Sequence, residues 1–112
     1  MSKYSAQKPP LIIHYCGSEV CSPKHQFGPA VRKHYLLHYI NSGQGWFSLG
    51  DKSYHMQAGW GFLICPNTMV TYLADETDPW EYSWVGFSGQ CCEDILENIG
   101  LSPSLPVYTT ID

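Results

Sequence analysis

The sequence predicts a mainly β fold, a single antiparallel barrel or sandwich with one short helix towards its C-terminal end. Two observations lead there. Seven or so short runs rich in β-branched and aromatic residues follow one another, separated by regular turn signals. Only residues 89–99 carry the spacing of a helix. A third sets the scale: 112 residues, 44% hydrophobic and 14% charged, suffice for one domain that buries a core without disulfide staples.

Taken in order, residues 1–10 are polar, end in Pro9-Pro10 and read as an extended arm ahead of a domain at 11–112. Leu11 to Tyr15 is a short strand, and Ser18 to Pro29, with its Gly, Ser and Pro, reads as a loop. From Arg32 the chain becomes β-branched and aromatic until Ser42-Gly43-Gln44-Gly45 turns it. Trp46–Leu49 and Ser53–Gln57 flank Gly50-Asp51-Lys52 as a tight hairpin. The run 62–65 follows Gly59-Trp60-Gly61, and Pro66-Asn67 turns it into the strand at 69–74. After an acidic loop, Trp80 to Phe87 is a strong strand. Ser88 is the expected helix cap, with Glu93 and Asp94 in the first turn, Ile95, Leu96 and Ile99 as the apolar stripe and Gly100 as the stop. Residues 101–112 read as a proline-punctuated tail.

Bulk properties exclude several classes of function. The net charge is −4 with six Lys plus Arg, so no basic stripe exists to displace counterions from phosphates or to hold an anionic membrane surface. No apolar run reaches membrane-span length, and the first ten residues lack the apolar stretch of a signal peptide, which points to the cytoplasm. Five cysteines, an odd number, fit reduced thiols there. Eight Tyr, four Trp and four Phe are many rings for a small domain, and they must fill a core or line a site.

The stretches HYLLHYINSGQGWFSL, AGWGFLICPNTMVTY and DPWEYSWVGF, in this order and spacing, resemble the N-terminal sensor domain of AraC-type bacterial transcription regulators. The likeness runs from about Phe27 to Tyr108 and leans towards sugar-metabolism members such as raffinose and multiple-sugar regulators. It implies a cupin-like jelly-roll β-barrel that senses a sugar, is not an enzyme and needs no cofactor. It implies a cytoplasmic regulator of carbohydrate-utilisation genes, a homodimer at full length. Its contacts with DNA and RNA polymerase would run through a C-terminal helix-turn-helix domain absent from this chain, with no membrane involved. The polar arm at 1–10 would close over the barrel mouth when ligand binds.

The resemblance also implies a site. Family positions matching Tyr72, Tyr82 and Trp84 contact the sugar, and Arg32 resembles a frequent arginine of the sugar-regulator subset, although arabinose-responsive members place theirs nearer Gly28. Strand alternation from Leu36 turns Arg32, His34, His38 and Ile40 inward, and puts Trp80, Tyr82 and Trp84 on one face. A pyranose offers an apolar C–H face to an indole and a rim of hydroxyls to Tyr, His and Arg. The expected ligand-binding set is therefore Arg32, His38, Tyr72, Tyr82 and Trp84, with His34, Trp46 and Trp80 as further pocket residues. Taken singly, each Trp or Tyr of a small β-barrel is more often core packing than a ligand platform, His38 reads equally as a hydrogen-bonded core histidine, and Arg32 as a surface strand residue in a salt bridge.

Two other readings compete. A small metal-dependent cupin enzyme needs histidines and a glutamate converging in the barrel, but those positions fall on Leu36 and Val70, and near Val31 and Lys33, so no metal is expected there. A dimerisation module without ligand would have its pocket plugged by side chains. His14, Cys16, Cys21 and His25 are zinc-competent, yet their spacing matches no compact zinc knuckle and reads as chance clustering in a loop.

Overall fold

A computed structural model describes residues 11–110. Nine strands form two antiparallel sheets that enclose the main core, and one helix lies outside them. The strands are β1 (Ile12–Val20), β2 (Gln26–Val31), β3 (Tyr35–Ser42), β4 (Gln44–Leu49), β5 (Lys52–Gln57), β6 (Trp60–Ile64), β7 (Met69–Ala74), β8 (Glu81–Ser88) and β9 (Val107–Thr109); the helix is α1 (Cys92–Asn98). The first sheet has the order β1-β8-β3-β6-β9 and the second β2-β7-β4-β5.

Turn chemistry sets the connections. Leu49 pairs with Lys52, so the β4–β5 loop is the two residues Gly50-Asp51. Gly50 has φ 61°, the positive first dihedral of a type II′ hairpin. Between β6 and β7 the chain leaves one sheet for the other through Pro66-Asn67. Proline fixes the first turn position, and Asn67 tolerates φ 63° at the second. The Asn67 amide donates to the Arg32 carbonyl at 3.0 Å, so this turn also holds the end of β2 in place.

Alternation then builds the interior. Leu36, His38 and Ile40 of β3 point inward, as do Phe47 of β4, Met56 of β5, Phe62 of β6, Val70, Tyr72 and Ala74 of β7, and Tyr82 of β8. Burying each large apolar side chain contributes about 1.5–3 kcal/mol. Strand β6 is buried on both faces, because Leu63 looks outward into a second cluster with Cys65, Phe87, Cys92, Leu96 and Leu101 beneath α1. Tyr35 and Leu37, the opposite register of β3, pack there, whereas Tyr39 stays partly exposed.

The structure corrects the predicted elements at several places. Strand β1 runs on to Val20, and β2 occupies 26–31, within and just beyond the stretch that reads as a loop. Residues 107–109 of the predicted tail form β9 against β6, where the Tyr108 hydroxyl donates to the His38 carbonyl at 2.7 Å. The helix begins after Cys91 without a side-chain cap, while Ser88 ends β8 and bonds His14 Nε2 at 2.6 Å. Of the apolar stripe only Leu96 is buried; Ile95 and Ile99 are exposed. The proposed arm at 1–10 lies outside the described residues.

Candidate functional site

The register of the first sheet lays out three cross-strand rows on its inner face. Tyr15, Gly86 and Leu36 form one, Gly17, Trp84 and His38 the next, and Glu19, Tyr82 and Ile40 the third. Each of the first two rows contains a glycine, and a ring from the neighbouring strand occupies the space. A Cβ on Gly86 would meet the Tyr15 ring at 2.3 Å, and one on Gly17 would meet the Trp84 indole at 2.8 Å. Side chains thus stand out from the sheet at Tyr15, Trp84, His38, Glu19 and Tyr82, and the second sheet answers with Phe27 and Tyr72. Between them lies a cavity of about 230 Å³, lined also by Arg32 and Leu36.

Arg32 comes from the end of β2. Its guanidinium lies 4.1 Å from the centre of the Phe27 ring, which stacks on Tyr72 at 4.9 Å, and its charge tempers the burial-driven rise of the Tyr72 pKa. His38 forms part of the floor. Its ring stacks on Phe62 at 4.5 Å and meets Tyr72 and Tyr82 edge-on, both at 5.1 Å. Burial, and after it the Arg32 charge, push the His38 pKa down to about 3, so the imidazole is neutral. Burial raises both tyrosine hydroxyls above their ordinary value, so they remain protonated donors. His38 Nδ1 and Arg32 Nε are buried and have no hydrogen-bond partner among the described residues. An orphaned buried polar atom is costly, and a polar ligand in the cavity is one way to satisfy it.

Five residues expected from the sequence meet here: Arg32, His38, Tyr72, Tyr82 and Trp84 all line the one cavity. The three further candidates do not. Trp80 is fully buried beyond Tyr82, over Gly45 and 6.0 Å from Phe62. Trp46 points to solvent and packs on His55, since its neighbours Gly45 and Phe47 take the inward positions. His34 precedes β3, which starts at Tyr35, so alternation does not extend to it; its ring stacks on His14 at 3.9 Å. Sequence reasoning missed Tyr15, Glu19 and Phe27. Glu19 and Phe27 sit in the stretch 18–29 whose glycine, serine and proline read as loop, whereas Tyr15 ends the expected strand at 11–15 and is placed by its pairing with Gly86 of β8, whose missing side chain its ring replaces.

Comparison with known proteins agrees with this architecture. A family model described as the AraC-like ligand binding domain matches residues 13–111. The chain is 36% identical over 91 residues to the Msm operon regulatory protein of Streptococcus mutans, covering 81% of this chain and 33% of that protein. It is 37% identical over 78 residues to the raffinose operon transcriptional regulatory protein RafR of Pediococcus pentosaceus, covering 68% and 28%. It is 35% identical over 75 residues to the lactose operon transcription activator of Staphylococcus xylosus, covering 67% and 27%. The chain therefore spans about a third or less of the length of these curated relatives. Among solved structures, the polyketide cyclase RemF from Streptomyces resistomycificus aligns with a TM-score of 0.54 over 81% of this chain and 56% of that one, at 14% identity, a likeness of fold alone. Two sheets closed around a ring-lined cavity, and a family match that spans nearly all the described residues, place this chain in the AraC-like ligand-binding domain family.

Proposed function

We propose that the cavity binds a sugar, and that this domain is the effector sensor of a cytoplasmic AraC-type regulator of carbohydrate-utilisation genes. DNA and RNA polymerase would be engaged through a helix-turn-helix part of the full-length, dimeric protein. The observation that carries the reading is the composition of the cavity wall. One indole face, Trp84, stands among uncharged hydrogen-bonding groups, the His38 imidazole and two protonated tyrosine hydroxyls, with the Arg32 fork and the Glu19 carboxylate at hand. A polyol with an apolar ring face and a rim of hydroxyls matches that wall, and the lone positions on His38 Nδ1 and Arg32 Nε give two of its hydroxyls a partner. The cavity, smaller than the roughly 300–1,000 Å³ of drug-sized sites, suits one sugar ring inside with any further units outside. The relatives' names, operon regulators for multiple sugars, raffinose or lactose, point the same way.

The metal-enzyme reading finds less support. Leu36 and Val70, where that chemistry needs ligands, put hydrocarbon into the buried core. Thermal unfolding of this chain against a panel of mono- and oligosaccharides, with and without chelator, tests the proposal. At ten times Kd a ligand stabilises by about 1.4 kcal/mol, a rise of roughly 5 °C in Tm. One sugar class should give that rise, chelator should leave the sugar-induced rise unchanged, and Trp84→Ala should abolish it. A panel with no response, or a response that Trp84→Ala leaves intact, overturns the reading.

A further inference from the structure

A second constellation lies where β1 ends. Glu19 near the end of β1 and Cys21 just past it are joined by His25 from the turn that leads into β2. One carboxylate oxygen, the Cys21 sulfur and one imidazole nitrogen lie within 4.8 Å of one another, and His25 Nε2 stands 3.5 Å from a Glu19 oxygen. The Cys21–His25 spacing alone matches no zinc knuckle. The fold supplies the third donor, because strand β1 continues through Glu19 where the sequence suggested a loop.

The backbone that carries these side chains is fixed at both ends. The Cys21 amide donates to the Trp80 carbonyl at 3.1 Å, the His25 amide closes the turn on the Ser22 carbonyl at 3.0 Å, and the His25 carbonyl accepts from Ala74 at 2.9 Å. Cys21 is buried in the same core cluster as Tyr82, while Glu19 and His25 are about half exposed and free to adjust. A tetrahedral zinc ion with bonds of about 2.0–2.3 Å needs donors about 3.3–3.8 Å apart. Rotations of the two exposed side chains by about an ångström close that gap without moving the strand.

We propose that Glu19, Cys21 and His25 form a binding site for a borderline-soft divalent cation, of which zinc is the type. The donor set decides the class. One thiolate, one imidazole and one carboxylate suit Zn²⁺ and Co²⁺, whereas Ca²⁺ and Mg²⁺ require mainly oxygen. Tyr82, packed in the same core cluster as Cys21, would supply the outer hydroxyl that orients a thiolate ligand. Three protein donors leave one tetrahedral position for a water or a ligand oxygen. Glu19 also lines the sugar-sized cavity, so the two sites share a wall, yet the metal proposal does not rest on the sugar reading.

The reduced 112-residue chain titrated with Co²⁺ tests it, since thiolate-to-cobalt charge transfer and tetrahedral d–d bands report the sulfur ligand directly. Both should rise to saturation at one equivalent and fall on addition of Zn²⁺. Cys21→Ser should remove the charge-transfer band. His25→Ala, a change at a half-exposed turn residue that leaves the unfolding transition in place, should weaken Co²⁺ binding by at least about tenfold. Cys16→Ser and Cys91→Ser should leave the spectrum unaltered. Absence of the band at one equivalent overturns the proposal, as does a band that survives Cys21→Ser, an affinity unmoved by His25→Ala, or a band lost with Cys16→Ser or Cys91→Ser. None of these outcomes bears on the sugar titration.

Discussion

Trp84 of β8 and Gly17 of β1 are register partners, and the indole fills the space a side chain at position 17 would need: a Cβ there would stand 2.8 Å from Trp84 Cζ2. On its other flank Trp84 pairs with His38 of β3. The pose of the ring at the cavity wall is therefore set by a missing methyl group on one side and a buried imidazole on the other.

Gly17→Ala should accordingly act on the site through Trp84. The added carbon must displace the ring or part the strands, and overpacking of this kind costs about 1–3 kcal/mol. The expected result is a modest fall in Tm, a shift in tryptophan fluorescence and a loss of sugar affinity of roughly tenfold or more, measured by calorimetric titration. Affinity and fluorescence unchanged from the parent would show that Trp84 is held by something other than Gly17.

Three tryptophans should behave in three ways. Trp80 is 1% exposed and packs on Phe62 and Tyr82, so Trp80→Ala should cost about 3–5 kcal/mol of stability in urea unfolding. Trp46 is 44% exposed, and Trp46→Ala should move stability by less than about 1 kcal/mol and leave sugar binding untouched. Trp84→Ala should remove binding at a smaller cost in stability than Trp80→Ala. A sugar response that depends on Trp46 would contradict the placement of the site.

The contrast between these rings shows what the sequence carried and what it did not. The turn signals and the alternation of β3, β7 and β8 were legible, because both faces of those strands are read by burial, and the five expected residues meet as a result. Trp46 was misplaced by one step of parity that its neighbour Phe47 decides. Strands β1, β2 and β9 were cut short or missed for a different reason. All three are edge strands; β1 is largely exposed, and β1 and β2 hold Gly17, Gly28 and Pro29, residues ordinarily depleted from strands. What justifies Gly17 is a ring from another strand sixty-seven positions away, a tertiary fact with no local signature. Glu19 and Phe27 were lost with those strands, while Tyr15 lay in the expected strand at 11–15 without its pairing to Gly86, which places its ring.

His38 gives the domain a pH dependence that can be worked out from its burial. In the folded chain its pKa is lowered to about 3, first by burial and then by Arg32, whereas an unfolded histidine titrates near 6.5. Around the ring stand Phe62 of β6, Tyr72 of β7, and Tyr82 and Trp84 of β8; the charged groups lining the same cavity are Arg32 and Glu19. Above about pH 6.5 neither state of His38 is protonated, and its contribution to stability is complete. As pH falls towards 3 only the unfolded chain takes up the proton, so stability drops by up to about 1.4 kcal/mol per unit. Between pH 7 and pH 5 the loss from this one group should be about 2 kcal/mol. Urea unfolding of the parent chain and of His38→Gln at those two pH values isolates it, because every other group titrates alike in both. The parent should lose about 2 kcal/mol more than the variant. Parallel losses would mean that the folded chain accepts the proton at His38, with the Glu19 carboxylate across the cavity as its counter-charge.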